Sequence, residues 1–313
     1  MADANPGVSF LGSGSLGVPT LEALHAAGLL RVVVSQPDRP AGRGLKLVPT
    51  PVSQWALAKG VALVRTDDAN RGEALEAIQA VGGPLVVVAF GQKLGPELLA
   101  NRLSVNLHPS ALPRWRGAAP IQRAMLAGES RIGVCAIAVA ERMDAGVILD
   151  SFETDIGPQE TAGEVLDRVA LESVPMMLRV VERLLRGDGH GRTQDESRAC
   201  RAAKLSKADA SVDFRDPADR VRLRVNGLQS WPGCVVRVAG QDLRWLRAGP
   251  AQGDGAPGTL LGDGAVACAA GAVRPIEVQP PGGRSMAWAD WLRGRRIEAG
   301  AVVESAFSSP GGP

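Results

Sequence analysis

Short apolar runs alternate with amphipathic segments along the first half of the chain. The runs that predict buried strands are Val8–Leu11, Arg31–Ser35, Val61–Val64, Leu85–Phe90 and Ser104–Leu107. The segments between them that predict helices are Pro19–Ala27, Val52–Lys59 and Glu73–Val81, and residues 36–51 predict a loop. This alternation predicts a Rossmann-like α/β fold, a mostly parallel sheet with helices on both faces.

The pattern changes in the second half. Two more strands are predicted at Gly133–Ala140 and Gly146–Thr154, and one long helix from Thr161 to about Arg186, where Thr161 and Glu164 have capping-box spacing. Short strands separated by glycine-rich turns then predict a small β-barrel. The predicted strands are Val212–Phe214, Cys234–Val238, Leu243–Leu246, Gly258–Val273 and Ile276–Gln279. We therefore predict a catalytic domain at 1–186, a linker at 187–204, a barrel domain at 205–305 and a disordered tail at 306–313.

Composition sets few limits, but the distribution of charge is informative. With 313 residues, 45% apolar and 22% charged, the chain has room for two ordinary globular cores. Residues 1–199 carry 20 basic and 22 acidic side chains, whereas residues 200–298 carry 15 basic and 10 acidic ones. A basic second half suits a polyanionic partner, and a solvated surface with a chance excess is the alternative.

Cysteine and histidine usage argues against a metal centre. Four cysteines lie far apart without a CxxC pair, and the three histidines do not cluster with them, so no metal is expected. The first residues lack the features of a signal or transit peptide, and no apolar run reaches the roughly 18 residues that a membrane span needs. We expect a soluble, cytoplasmic protein, a monomer by default, that does not bind membranes.

The candidate catalytic residues are Asn106, His108 and Asp144. Asn106 and His108 alternate at the end of a predicted strand, so their side chains point to one face, and Asp144 stands in a turn-like Asp-Ala-Gly segment. An amide that donates hydrogen bonds, an imidazole that moves protons and a carboxylate that orients the imidazole are suited to acyl transfer. A lone histidine is more often structural, but this one comes with two suitable partners.

Gly12 to Gly17 fit the GxGxxG spacing of a dinucleotide-binding turn. The turn follows a predicted strand, and Asp38 lies about twenty residues further on, where a ribose-binding acid would be expected. A long basic loop follows Asp38 and would crowd an adenosine ribose. A structural turn is therefore the alternative that we favour.

The loop after Asp38 contains Arg39, Arg43 and Lys46 among several glycines and prolines. It is either an ordinary surface loop or an arm that contacts phosphates, since guanidinium and ammonium groups pair well with them.

The segment from Leu112 to Gln122, Leu-Pro-Arg-Trp-Arg-Gly-Ala-Ala-Pro-Ile-Gln, lies between His108 and Asp144. Together with the strand before it and the Asp-Ala-Gly turn after it, this segment resembles the catalytic core of the folate-dependent formyltransferase family. The resemblance implies Asn106, His108 and Asp144 as catalytic residues and 10-formyltetrahydrofolate as co-substrate. It also implies a folate site formed by Ala89, Phe90, Gly91, Ser110 and Pro113.

The basic loop is similar to the insertion that family members acting on tRNA place against the acceptor stem, and Arg43 matches its arginine. The resemblance extends to Lys204 and Lys207 and implies an OB-like barrel. It therefore implies methionyl initiator tRNA as partner, bound through Arg39, Arg43, Lys46, Lys204 and Lys207. Three alternatives remain, namely a formyltransferase acting on an amino-sugar nucleotide or another small amine, an NAD(P)-dependent oxidoreductase and a tRNA-binding module without catalysis.

Overall fold

The computed structural model describes residues 7–41, 44–100, 102–229 and 231–306. The chain divides into two compact units, each made of several segments. One contains residues up to 116, 133–153 and 166–201, and the other contains 117–132, 154–165 and the residues from 202 on. The predicted domain limits at 186 and 205 stay a prediction. Of the predicted tail, 306–313, all but Ala306 lies outside the described residues.

The regular elements up to residue 202 are β1 (Val8–Gly12), α1 (Val18–Ala26), β2 (Leu30–Ser35), β3 (Arg39–Ala41), β4 (Lys46–Val48), α2 (Pro51–Lys59), β5 (Leu63–Arg65), α3 (Gly72–Val81), β6 (Leu85–Val88), α4 (Pro96–Leu99), β7 (Ser104–His108), β8 (Arg116–Gly117), α5 (Pro120–Leu126), β9 (Arg131–Ile137), β10 (Ile148–Asp155), α6 (Ala162–Glu172), α7 (Val174–Leu185) and β11 (Arg201–Ala202). The remaining elements are α8 (Ala218–Gly227), β12 (Cys234–Val238), β13 (Gln241–Ala251), β14 (Val266–Ala267), β15 (Ala272–Gln279), β16 (Met286–Ala287), α9 (Trp288–Arg295) and β17 (Val303–Ser305).

The first unit is built on a sheet with the strand order β10-β9-β7-β6-β1-β2-β5. Pairing is parallel from β7 through β6, β1 and β2 to β5, and antiparallel between β7 and β9. Successive residues of β1 face opposite sides, and Leu11 packs with Ile78 of α3 on one of them. Helix α1 contacts α2, α7 and β2, helix α2 contacts β2 and β5, and helix α7 contacts β7. The predicted mostly parallel sheet with helices on both faces is confirmed.

Two segments differ from the prediction in this part of the chain. Residues 36–51, predicted as a loop, contain the hairpin β3–β4, in which Arg39 pairs with Val48 and Ala41 with Lys46. The single helix predicted up to about Arg186 is divided at Ser173 into α6 and α7. Pro175 lies in the first turn of α7, where its missing N–H costs nothing, whereas in a continuous helix it would remove a hydrogen bond.

The predicted capping box is confirmed. The main-chain N–H of Thr161 donates to Glu164 Oε2 at 2.9 Å, and the Glu164 N–H donates to Thr161 Oγ1 at 3.4 Å. This reciprocal pair satisfies N–H groups that a helix start would otherwise leave without partners.

The second unit contains a nearly closed antiparallel barrel, which confirms the predicted barrel. Its strand order is β14-β15-β13-β12-β17, with β16 beside β15. Isolated bridges at Thr259–Val302 and Leu260–Val266 connect the two ends of this order. Trp245 on β13 is fully buried inside and meets Phe214 and Trp288 edge to face. Closure removes the open edges that a small sheet would otherwise expose.

Some elements of this unit were predicted wrongly. Val212–Phe214 is not a strand, because Ser211 O accepts from Arg224 Nε and Val212 N donates to the side-chain Oγ of Ser305 instead of to a main-chain oxygen of a neighbouring strand. The predicted strand Gly258–Val273 reduces to β14, the first residues of β15 and bridges between turns. Helices α8 and α9 were not predicted. In the described parts of the chain, no helix is long and apolar enough to cross a membrane.

Candidate active site

Strand β7 places the first two candidate catalytic residues next to each other along one face. Asn106 pairs with Val87 of β6 on one side and Ile137 of β9 on the other, so its position between two strands is fixed. Its side chain is partly exposed, whereas His108 is 5% exposed. Among the described residues, no side-chain hydrogen bond engages the Asn106 amide. Its N–H groups are therefore open to a ligand.

The His108 ring lies between two oxygen atoms. Its Nδ1 is 3.7 Å from Asp144 Oδ2, and its Nε2 is 3.0 Å from the main-chain oxygen of Trp115. A carbonyl oxygen can only accept, so Nε2 carries a proton in this arrangement. A doubly protonated ring in this place would have an acceptor opposite each nitrogen. The structure thus brings together His108 and Asp144, which are 36 positions apart in the chain.

The loop between β9 and β10 presents Asp144 to His108. Asp144 has a φ of 54°, a left-handed conformation that aspartate adopts more readily than most residues, and the Ala145 N–H closes the turn on Arg142 O at 3.2 Å. Two residues on, a Cβ at Gly146 would lie 1.8 Å from the main-chain oxygen of Ala138. Only glycine allows this close approach, which explains the last residue of the Asp-Ala-Gly turn.

Two parts of this site were not predicted from the sequence. The Trp115 carbonyl is one, although the residue belongs to the unusual segment 112–122. The other is Gln194, whose Nε2 donates to the main-chain oxygens of Asp144 at 2.8 Å and Gly146 at 2.7 Å. Gln194 lies in the segment that was predicted as a linker, and no pattern around it indicates a contact with the loop.

The predicted folate residues Ala89, Phe90 and Gly91 form a sharp turn at the end of β6. Ala89 and Gly91 are exposed and have φ values of 45° and 77°. Phe90 is different, because its ring is buried in the core beside α3 and its carbonyl oxygen accepts from Gln36 Nε2 at 2.8 Å. The surface of this turn is therefore main chain. A contact between folate and any of the three residues stays a prediction.

Ser110 and Pro113 lie in the tight loop after His108. Ser110 is fully buried, and its hydroxyl donates to Arg114 O at 2.8 Å, which closes the loop on itself. Pro113 is also buried. The loop runs so close to β9 that a Cβ at Gly133 would lie 2.4 Å from Ala111 Cα. Both predicted folate residues therefore have structural contacts, and their role toward folate is untested.

The Gly12–Gly17 turn has a packing explanation. A Cβ at Gly17 would lie 2.9 Å from the Phe10 ring, and Gly14 donates its N–H to Ala89 O at 3.3 Å. Asp38, the candidate ribose-binding acid, accepts from Arg65 Nη1 at 3.0 and 2.9 Å. These contacts favour a structural turn over a dinucleotide site.

The hairpin β3–β4 carries two of the predicted tRNA residues. Lys46 is exposed, and Arg39 is exposed with an ion pair to Asp67 at 3.2 Å. Such an exposed pair is weak and can exchange partners. Leu45 and Leu47 are 72% and 68% exposed, so the hairpin is apolar as well as basic. Arg43 lies outside the described residues.

The remaining predicted tRNA residues, Lys204 and Lys207, are exposed on one segment of the second unit. Arg123 holds this segment, since it donates to Ala203 O at 3.0 Å and pairs with Asp209 at 2.9 Å. The two lysines therefore project from a fixed main chain, which suits contacts with phosphates.

Comparison with known proteins assigns both parts of the chain to one family. Residues 8–181 match the formyl transferase family, and residues 204–296 match the formyl transferase C-terminal domain. The methionyl-tRNA formyltransferase of Aromatoleum aromaticum is 40% identical over 308 residues, which are 96% of this chain and 97% of that one.

Solved structures share the fold at lower identity. The methionyl-tRNA formyltransferase from Clostridium thermocellum matches 77% of this chain and 92% of its own, with a TM-score of 0.56 and 14% identity. HypX from Aquifex aeolicus, in complex with tetrahydrofolic acid, matches 92% of this chain with a TM-score of 0.65 and 19% identity. This chain spans about half the length of HypX, 47%.

Proposed function

The chain belongs to the formyl transferase family, and we propose that it transfers the formyl group of 10-formyltetrahydrofolate to the α-amine of methionine on initiator tRNA. One observation carries the proposal: the His108 ring lies beside Asp144, and His108 shares its strand with Asn106. The similarity to a methionyl-tRNA formyltransferase over nearly the full length of both chains directs it to tRNA.

The proposed reaction exchanges one carbon–nitrogen bond for another. The neutral amine of the methionyl group forms a bond to the formyl carbon, the bond from that carbon to N10 of the folate breaks, and a proton passes from the amine to the folate side. Between these steps the formyl oxygen carries negative charge. Groups that stabilise this oxygen and move the proton lower the barrier.

Each of the three residues has a distinct part in this proposal. Asn106 donates an amide N–H to the developing oxyanion, a contact typically worth about 3–4 kcal/mol in the transition state. For this step the neutral His108 ring carries its proton on Nδ1, toward Asp144, and Nε2 leaves the Trp115 carbonyl to take the proton of the amine and pass it on. Asp144, 3.7 Å from the ring, keeps it oriented and favours its charged state while it holds the proton.

The residues proposed for folate fit a flat polar ring system in one respect. The turn of Ala89 and Gly91 exposes main-chain groups rather than long side chains. Main-chain N–H and C=O groups are the usual partners of such rings in preformed sites. No metal takes part in this proposal.

The tRNA-binding part of the proposal rests on exposed charge. The hairpin presents Arg39 and Lys46, and the second unit presents Lys204 and Lys207. We propose that these side chains contact phosphates, so that affinity falls steeply as the salt concentration rises. The cytoplasmic location and the monomeric state stay predictions.

The test is formyl transfer with purified components. The protein is mixed with 10-formyltetrahydrofolate and methionine-charged initiator tRNA, and in parallel with methionine-charged elongator tRNA. Formyl-methionine is then measured by mass spectrometry after hydrolysis. We expect formylation of the initiator tRNA and little of the elongator. No product with either tRNA, but transfer to an amino-sugar nucleotide, would contradict the proposed substrate and keep the family chemistry.

A further inference from the structure

Gln194 uses every hydrogen-bonding group of its side chain within the protein. It is 5% exposed, and its Nε2 donates to the main-chain oxygens of Asp144 and Gly146 at 2.8 and 2.7 Å. Its Oε1 accepts from Arg116 Nε at 3.0 Å and from Arg116 Nη2 at 2.6 Å. A buried amide with two donated and two accepted hydrogen bonds has no capacity left, so its orientation is unique.

Arg116 is in turn held by a carboxylate. Its Nη1 and Nη2 donate to the two oxygens of Glu196 at 3.0 and 2.8 Å. Arg142, at the start of the Asp144 loop, lies 2.5 Å from Glu196. Hydrogen bonds from Arg116, and then from Arg142, hold the pKa of Glu196 at about 2, so this carboxylate is ionised at neutral pH.

The same network reaches the other side of the His108 ring. Arg116 follows Trp115, the residue whose carbonyl oxygen lies 3.0 Å from His108 Nε2. The main-chain N–H of Trp115 donates to Cys200 Sγ at 3.2 Å, and that of Arg116 donates to Cys200 O at 3.0 Å. The two residues that face the ring are thus linked through Arg116, since Trp115 precedes it in the chain and Gln194 joins it to the main-chain oxygen of Asp144.

We propose that Gln194 is a positioning residue, which sets the distance between Asp144 and His108 through the main chain of residues 144–146. The inference rests on the proposed function for the step that it supports. Asp144 has a left-handed main chain, and without an external hold such a turn relaxes easily. A small change in this loop lengthens the 3.7 Å contact with His108, and displacements of about 1 Å can lower rates about a hundredfold.

The test compares Gln194→Met with the unchanged protein. The methionine fills a similar volume but removes all four hydrogen bonds. We expect kcat to fall about 10- to 100-fold, with the KM values for folate and tRNA changed less than about threefold, because no substrate contact is lost. Deuterium uptake by the peptide containing residues 142–147 should rise.

A second variant and a matched control separate positioning from general stability. Gln194→Glu keeps the shape and the acceptor for Arg116, but it turns an oxygen toward two carbonyl oxygens, so the same loss of kcat is expected. Asn226 is a comparable amide in the other unit, 1% exposed and bonded to both main-chain groups of Ala248. Asn226→Leu should lower the unfolding temperature and leave kcat within about threefold, the range of a structural change remote from chemistry.

The decisive comparison is made in an Asp144→Asn background, under single-turnover conditions. If Gln194 acts through Asp144, the Gln194→Met change should lower the rate there by less than about threefold, because the group that it positions is already lost. An equal loss in both backgrounds, an unchanged kcat, or unchanged deuterium uptake in 142–147 would each overturn the inference. If the unchanged protein formylates no tRNA, the proposed function fails, and the uptake measurement still tests the contact of Gln194 with the loop.

Discussion

Replacing Gly146 by alanine tests the dependence of the site on one close main-chain approach. The added Cβ would lie 1.8 Å from the Ala138 oxygen, and ordinary contact begins near 3.4 Å, so the chain must move by about 1.6 Å. Ala138 cannot yield easily, because its N–H is bonded to Val147 O at 2.9 Å. The loop that carries Asp144 is therefore displaced.

The expected cost appears in both rate and stability. A misplacement of this size predicts at least a hundredfold lower kcat, or about 2.7 kcal/mol in activation free energy. Overpacking should also lower the free energy of unfolding by about 1–3 kcal/mol. The assay is formyl transfer to methionyl initiator tRNA at saturating substrates, with thermal unfolding measured on the same samples.

Gly262→Ala is the matched control, because a Cβ there meets no atom within 4 Å. It should leave both kcat and the unfolding temperature close to those of the unchanged protein. A Gly146→Ala variant with kcat within threefold of the unchanged protein would refute the argument, since the loop would then tolerate a displacement that we consider disruptive.

Three further predictions concern other parts of the molecule. Asn106→Ala should lower kcat at least about a hundredfold while the Kd for tRNA stays unchanged, and near-normal turnover would remove Asn106 from the catalytic group. The hydrogen bond from Arg247, and then those from Thr161, lower the pKa of Glu164, so its charge stabilises the fold above pH 4.5 and this stability is lost as the pH falls below that value. Glu164→Gln should therefore lower the free energy of unfolding by up to about 1 kcal/mol at pH 7. In urea unfolding at pH 3, the variant should differ less from the unchanged protein. Burial raises the pKa of Cys135 to about 11, so a thiol reagent at pH 8 should modify the half-buried Cys200 well before Cys135. Equal modification rates of the two cysteines, measured by peptide mass spectrometry, would contradict the burial of Cys135.

The sequence was most informative where the repeat of apolar and polar positions alone determines which residues share a face or which elements pair. Asn106 and His108 are two positions apart on a strand, so their common face follows from the pleat. The parallel sheet follows from apolar runs that alternate with helical segments. The apposition of Asp144 to His108 has no such period, and it was predicted from the suitability of the three side chains for acyl transfer and from the resemblance to a family.

The errors have physical causes too. Val212 and Phe214 are buried with alternating spacing, as in a strand, but the main-chain N–H of Val212 donates to Ser305 Oγ and that of Arg215 donates to Asp213 Oδ1, instead of to the main chain of a second strand. Helix α8 buries few apolar side chains, among them Val221 and Val225, so its period was hidden among arginines. Gln194 contacts a loop 50 positions earlier in the chain, and a single polar residue leaves no trace of such a contact in the sequence.

The hydrogen bonds of Gln194 also bear on how far the catalytic half can be exchanged between relatives. A chimera joined at residue 186 would take its sheet and its Asp144 loop from one parent, and Gln194, Glu196 and Cys200 from the other. The Asp144 loop and the residues that hold it beside His108 would then come from two different proteins. A junction placed after residue 201, at the end of the first compact unit, keeps them from one parent. Transplants of this half should therefore include residues 187–201 together with the candidate active site.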